Sequence, residues 1–132
     1  MTPLVIDTSA LLAIIFQESG CADCMEQLNS DRQLLISAGT LAEAEIVAVR
    51  RGVRPALQRL VTKLGLEIVA VGADEARLAA DAYARWGKGM HPAALNYGDC
   101  FAYALAAEQN YPLLFIGNDF AQTDIQSALT PQ

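Results

Sequence analysis

The segment Leu4-Val5-Ile6-Asp7-Thr8-Ser9, residues 4–9, decides the fold of this 132-residue chain. Its three apolar residues predict a short buried strand that ends at Asp7, and Thr8 and Ser9 are typical of the start of a helix. Similar apolar runs, each separated from the next by helical patterns, predict further strands at residues 34–36, 67–71 and 113–116. Strands that alternate with helices form a mostly parallel sheet covered by helices on both faces. The sequence therefore predicts an α/β fold.

The helical segments have recognisable ends. We predict helices at residues 10–16, 21–29, 41–51, 55–64, 73–86 and 99–109. Gly52 and Gly65 directly follow two of them, in the position where glycine most often ends a helix. Ligands of parallel sheets bind at the carboxyl ends of the strands. Because Asp7 lies at one such end and Asp119 lies just beyond another, this edge of the sheet is the predicted functional site.

The composition is that of one domain, which we expect to span residues 1–132. Hydrophobic residues make up 53% of the chain, and a chain of this length can bury a substantial core. An apolar run such as residues 10–16 is far shorter than the roughly 20 residues that a membrane-spanning helix needs. No Lys or Arg precedes Asp7, which argues against a signal peptide, so we expect a cytoplasmic protein without membrane association.

The net charge of −6 argues against a protein that grips nucleic acid by bulk electrostatics. The basic residues are unevenly distributed, since five of the nine lie between positions 50 and 63. A second small group contains Arg85, Lys88 and His91. Either group could contact phosphates, and either could equally be an ordinary solvated helix surface.

Cys21 and Cys24 form a CxxC pattern, which invites a zinc or redox interpretation. A structural zinc site would need two more ligands, and the only other candidates are Cys100 and His91. The pattern also lies in a polar, helical stretch and does not follow a strand, unlike a thioredoxin-type motif. We therefore expect reduced cysteines without a chemical role.

Four acidic residues lie beside apolar segments, where an unpaired carboxylate is costly. They are Asp7, Glu43, Asp99 and Asp119. Each has an ordinary structural explanation: Asp7 is suited to cap the following helix, Asp99 to lie in a first helical turn, and Asp119 to form a turn. Glu43 could lie on a solvated face, and periodicity alone does not decide whether Glu43 or Glu45 points inward.

Taken together, the four acids predict a metal site. Two of them follow strands and two lie on helices that can pack nearby, so all four can converge at one edge of the sheet. Clustered carboxylates repel one another, and a bound cation removes the repulsion. Oxygen ligands without His or Cys favour Mg²⁺ or Mn²⁺ over zinc. Two such ions about 3.5–4 Å apart are the common device for in-line displacement at phosphorus.

Other catalytic classes lack their required residues. The sequence has one His, no GxSxG, no glycine-rich phosphate loop and no GxGxxG. A signalling receiver domain would need a Lys at the end of a late strand, where this chain has Gly117-Asn118-Asp119. A phosphatase of the haloacid dehalogenase type would need an acid two residues after its nucleophile, and position 9 is Ser.

Five segments form an ordered set along nearly the whole chain. They are VIDTSAL (residues 5–11), ISAGTLAE (36–43), GKGMHPA (87–93), LNYGDC (95–100) and LLFIGNDF (113–120). This set resembles the motifs of the PIN-domain family, particularly the VapC toxins of bacterial toxin–antitoxin pairs. One departure is Met90, which stands where several relatives carry Arg. That change removes a charge but leaves the four acids in place.

The resemblance implies a three-layer α/β/α sandwich that hydrolyses RNA as an endoribonuclease. It implies that Asp7, Glu43, Asp99 and Asp119 surround Mg²⁺ or Mn²⁺, and it favours Glu43 as the inward-facing glutamate. Ser9 would then help to orient the Asp7 carboxylate or a metal-bound water. The family also implies a homodimer and a cognate VapB-type antitoxin as partner.

Under this interpretation five residues are candidates to contact RNA phosphates. They are Arg50, Arg51, Arg54, Lys88 and His91. A role of His91 as general base is disfavoured, since a carboxylate suffices beside a metal ion. The alternative that stays open is a non-catalytic PIN-like module that works by binding other proteins.

Overall fold

A four-stranded parallel sheet organises the chain in the computed structural model, which describes residues 1–129. The strands are β1 (Leu4–Ile6), β2 (Leu34–Ser37), β3 (Glu67–Val69) and β4 (Leu113–Leu114). The helices are α1 (Thr8–Ile15), α2 (Cys21–Leu28), α3 (Ala38–Arg51), α4 (Arg54–Leu64), α5 (Ala73–Trp86) and α6 (Tyr97–Gln109). A short 3-10 turn, Phe120–Gln122, follows β4.

The predicted α/β class is confirmed, and the differences lie at element ends. Helix α3 begins at Ala38, three residues earlier than predicted, because the Ser37 side chain accepts a hydrogen bond from the Gly39 N–H at 3.2 Å and caps the helix. Helix α6 begins at Tyr97 and is capped by Asn96. Strand β4 spans two residues instead of the predicted four.

The strand order is β3-β2-β1-β4, with β1 at the centre of the sheet. Leu4 of β1 pairs with Leu34 of β2, and Val5 pairs with Leu113 of β4 on the other side. The chain thus leaves β1 toward one side of the sheet and later returns to the opposite side. Such a reversal opens a crevice at the carboxyl ends of the two strands, here β1 and β4.

Successive residues of β1 enter different hydrophobic clusters. Val5 packs in the cluster formed with α5 and α6, whereas Leu4 and Ile6 pack in the cluster formed with α1, α2, α3 and α4. The sheet is therefore buried on both faces, and the predicted three-layer α/β/α sandwich is confirmed. The apolar run at residues 10–16 contributes to this core, with Leu11 fully buried. Within residues 1–129, no helix is long and apolar enough to cross a membrane.

A partly buried polar network joins the carboxyl-terminal segment to α5 and α6. The Trp86 Nε1–H donates to the Tyr103 hydroxyl at 2.9 Å, and that hydroxyl in turn donates to Asp124. Arg85 pairs with the second oxygen of Asp124 at 3.4 Å and stacks over the Trp86 ring. The segment that follows β4 is thereby held against the helices.

Removal of the Tyr103 hydroxyl should destabilise the protein. In Tyr103→Phe the buried Trp86 N–H loses its acceptor, and an unsatisfied buried donor costs roughly 1–3 kcal/mol. Urea unfolding should show this loss. Tyr111→Phe is the matched control, because the Tyr111 hydroxyl makes no hydrogen bond within residues 1–129. Equal stability of the two variants would contradict a role for the network.

Candidate active site

Asp7 is placed at the crevice by the end of β1. Its carboxylate Oδ2 accepts hydrogen bonds from the Ser9 N–H at 3.0 Å and the Ser9 hydroxyl at 2.7 Å, so Asp7 is also the N-cap of α1. The Ser9 oxygen accepts a hydrogen bond from the Ile116 N–H at 3.0 Å, just beyond β4. Ser9 therefore links the ends of both strands and holds the Asp7 carboxylate in one orientation.

The second carboxylate oxygen of Asp7 has no such support. Asp7 is 3% exposed, and its Oδ1 atom is buried without a hydrogen-bond partner within residues 1–129. Burial raises the pKa of Asp7 to about 6, and the Glu43 carboxylate adds to the rise, although the hydrogen bonds from Ser9 oppose it. A buried carboxylate oxygen that lacks a hydrogen-bond donor is a suitable ligand for a cation.

Glu43 reaches the same place from α3. The Thr8 hydroxyl donates to Glu43 Oε1 at 2.8 Å, which joins the start of α1 to α3. Burial raises the pKa of Glu43, and the negative charge of Asp99 raises it further. Glu45 instead pairs with Arg54 at 3.0 Å. The ambiguity between the two glutamates, which periodicity left open, is resolved by these contacts.

Asp99 is held by the first turn of α6. Its Oδ2 accepts from the Asn96 N–H at 3.0 Å while Asn96 Oδ1 accepts from the Asp99 N–H at 2.9 Å, forming a capping box. Burial raises the pKa of Asp99 to about 6, and the charges of Asp7 and Asp119 contribute to the rise. Asp119 is exposed and precedes the 3-10 turn, without a capping hydrogen bond.

The four predicted acids thus form an electrostatic group. The raised pKa values of Asp7, Glu43 and Asp99 each trace partly to the charge of another acid in the set, and Asp119 is one cause of the rise at Asp99. As placed, however, no three His, Cys, Asp or Glu side chains in residues 1–129 are close enough to share one ion. The donor set consists of hard oxygens and includes Asp7 Oδ1, which is buried without a hydrogen-bond partner, so its chemistry fits a divalent cation.

The five basic candidates have different surroundings. Arg54 is engaged with Glu45, and the Arg51 guanidinium lies 4.2 Å from the centroid of the Phe16 ring. Arg50 and Lys88 are exposed and form no ion pair within residues 1–129. Arg50 and Lys88 are therefore the two candidates of this set whose charges are most available to a ligand.

The His91 side chain makes contacts that hold it in its own loop. Its Nδ1 accepts from the Ala93 N–H at 2.9 Å, and its ring lies edge-on to Trp86 with centroids 4.7 Å apart. His91, predicted from sequence as a candidate RNA contact, therefore also has a structural role in its loop.

Cys21, Cys24 and Cys100 are free cysteines. Burial raises the pKa of Cys24 and of Cys100 to about 11, which disfavours the reactive thiolate.

Two residues at the site were not identified from sequence. Thr8 was assigned only to the start of a helix, yet it bonds the Glu43 carboxylate. Gly98 was noted only as the neighbour of Asp99, yet the Glu43 carboxylate lies against it. Both contacts cross between elements distant in the chain, and no local pattern signals them.

The stability of the metal-free protein should fall as pH rises. The pKa of Asp7 is about 6 in the folded protein and 3.8 ordinarily, so the folded state binds the proton more tightly and loses that advantage between these values. From pH 5 to pH 7.5 this group should lower the free energy of unfolding by about 1–2 kcal/mol in EDTA. Urea titrations at the two pH values measure the change.

Asp7→Asn should flatten this pH dependence, and Asp74→Asn is the control, since Asp74 is an exposed acid paired with Arg77. Addition of millimolar Mn²⁺ at pH 7.5 should raise stability in the unmodified protein, because a ligand of the folded state shifts the equilibrium. An unchanged pH dependence in Asp7→Asn would contradict the assignment.

Comparison with known proteins gives a family match over most of the chain. The family model of the PIN domain matches residues 4–126. The chain is 44% identical over 132 residues to Ribonuclease VapC42 of Mycobacterium tuberculosis, covering 96% of this chain and 100% of the relative.

Solved structures show the same fold at lower identity. VapC20 of Mycobacterium tuberculosis, described as a sarcin-ricin loop cleaving toxin, is 15% identical with a TM-score of 0.74, covering 92% of this chain and 95% of that one. DNA-bound VapBC of Salmonella typhimurium is 17% identical with a TM-score of 0.68, covering 96% of both chains. With its sequence and its fold in agreement, the chain belongs to the PIN-domain family, among the VapC ribonucleases.

Proposed function

We propose that this chain, as one nuclease domain spanning residues 1–132, is a metal-dependent endoribonuclease that hydrolyses RNA phosphodiester bonds. The observation that carries the proposal is the buried, unpartnered oxygen of Asp7 within a group of carboxylates that raise one another's pKa. A purely structural N-cap would not need Glu43 and Asp99 beside it. The sequence relatives of this chain are named ribonucleases, which agrees with nuclease chemistry.

Each acid has a proposed task. Asp7 and Asp99 would be the principal ligands of Mg²⁺ or Mn²⁺, with Glu43 and Asp119 in support. A divalent ion bound there would activate water and neutralise charge at phosphorus. Ser9 keeps Asp7 Oδ2 in place through two hydrogen bonds, which leaves Oδ1 free to bind.

RNA binding would rely on a few exposed cations, because the chain as a whole is acidic. Arg50 and Lys88 are the better phosphate contacts by exposure, while Arg51, Arg54 and His91 already have partners in the fold. Contacts of this kind position the backbone of the nucleic acid and do not read its sequence.

Cleavage of a mixed-sequence single-stranded RNA should require metal and Asp99. We expect activity with Mg²⁺ or Mn²⁺, none with EDTA, and a loss of at least about 100-fold in Asp99→Asn, since a ligating carboxylate is worth several kcal/mol at the transition state. Asn can still accept the Asn96 N–H hydrogen bond, so this variant should fold. Asp74→Asn serves as the control, because Asp74 is exposed and distant in sequence from the motifs.

Retained metal-dependent cleavage by Asp99→Asn would contradict the assigned site. Absence of both cleavage and Mn²⁺ binding in the unmodified protein would favour the alternative, a non-catalytic protein-binding module.

We also propose two partners, a cognate VapB-type antitoxin and a second copy of the chain. The Salmonella typhimurium relative is a VapBC assembly, which supports an antitoxin. For the dimer, Ile46 and Val49 are 62% and 56% exposed, and they share one face of α3 because they are three residues apart. Ile68 of the neighbouring strand β3 is 52% exposed. We also propose that the protein is cytoplasmic, as expected from its sequence.

The exposed apolar face of α3 should mediate self-association. Ile46→Lys combined with Val49→Lys should convert the dimer to a monomer in sedimentation experiments, because two charges would be buried at the interface. Met90→Lys is the control, since Met90 is 63% exposed but lies on another segment. A dimer that persists in the double variant would exclude this face.

A further inference from the structure

Glu43 Oε2 and Cδ lie against the Cα of Gly98, on the first turn of α6. A Cβ built on Gly98 would overlap both atoms, and it would stand only 2.8 Å from Oε1. Gly98 is buried and helical, and its φ is not in the left-handed region. Backbone conformation therefore does not require glycine at this position. Glycine is required because the Glu43 carboxylate occupies the space that a side chain at position 98 would need.

A hydrogen bond from α1 also holds this carboxylate. The Thr8 hydroxyl lies 2.8 Å from Glu43 Oε1 and 3.2 Å from the Thr40 carbonyl oxygen, and its single proton favours the shorter, charge-assisted bond. Glu43 is thus confined between a donor from α1 and a bare stretch of α6. This confinement keeps the carboxylate beside Asp99, one residue from Gly98, although the two charges repel.

We infer that Gly98 is a positioning residue of the metal site: the absence of its side chain, together with the Thr8 hydroxyl, fixes the Glu43 carboxylate next to Asp99. The inference rests on the proposed function, because Glu43 is one of the proposed metal ligands. It differs from simple close packing of α3 and α6, because the group that would be displaced is a carboxylate and not the helix backbone.

A double-mutant cycle between Gly98→Ala and Glu43→Ala tests this inference by calorimetric Mn²⁺ binding. Gly98→Ala should weaken Mn²⁺ binding about 10- to 100-fold, the range typical of residues that orient metal ligands. In the Glu43→Ala background the carboxylate is gone and the methyl group has room. In that background Gly98→Ala should change Mn²⁺ affinity less than about two-fold. Substitutions at residues in contact have coupled effects on the free energy, whereas substitutions at residues without contact have additive effects.

Thermal unfolding in EDTA gives a second readout that needs neither metal nor RNA. Gly98→Ala should lower the midpoint when Glu43 is present and should not lower it in Glu43→Ala, because alanine favours a helix over glycine. If Gly98→Ala alone yields no folded protein, recovery of folding in the double variant supports the inference and failure to recover it overturns it.

Gly87→Ala is the matched control. Gly87 directly follows α5, and a Cβ there would meet the Tyr83 ring, at 2.7 Å from both Cδ2 and Cγ, instead of a carboxylate. Its effect on the unfolding midpoint should be the same with and without the Glu43 side chain. Equal effects of Gly98→Ala in both backgrounds would overturn the inference and leave only helix packing.

The two proposals fail separately. If the unmodified protein neither binds Mn²⁺ nor cleaves RNA, the proposed function is wrong, yet coupled midpoints in EDTA would still establish that Gly98 positions Glu43. If cleavage and binding are intact but the midpoints are uncoupled, the proposed function stands and the role of Gly98 is refuted.

Discussion

Repulsion among carboxylates at the edge of a parallel sheet is the constraint on which the rest of this structure depends. Asp7 is buried at the end of the central strand with one oxygen unpartnered, and Glu43 and Asp99 approach it from two helices. Placing these charges together opposes folding, because burial and proximity both penalise the ionised forms. The surrounding structure must therefore hold the side chains where they would not stay on their own.

The holding contacts are few, and most are short polar bonds from residues at element ends. Ser9 fixes Asp7, Thr8 fixes Glu43, and the capping box with Asn96 fixes Asp99. Each of these bonds joins a rigid helix start to a carboxylate, which gives better orientation than a mobile loop would. The hydrophobic layers on both faces of the sheet then keep the helix starts in place.

Structural and functional explanations of the acids are not exclusive here. Asp7 is an N-cap, as the local pattern indicated, and Asp99, predicted to lie in a first helical turn, is also a member of a capping box. A cap uses only part of a carboxylate's capacity, because the remaining lone pairs stay available to a cation. Local helix stability and a metal site can therefore share the same residues without conflict.

The sequence by itself determined the α/β class, the order of the elements and the edge at which the acids gather. Hydrophobic periodicity and helix caps act over a few residues, so they can be recognised without knowing the tertiary structure. Periodicity did not choose between Glu43 and Glu45. The family resemblance favoured Glu43, but only the tertiary structure decided which contact holds it, because Thr8 lies 35 residues away along the chain. It likewise decided that Gly98 must lack a side chain and that Ile46 stays exposed. Such contacts arise when distant segments pack, and no local pattern in the sequence encodes which atoms then meet.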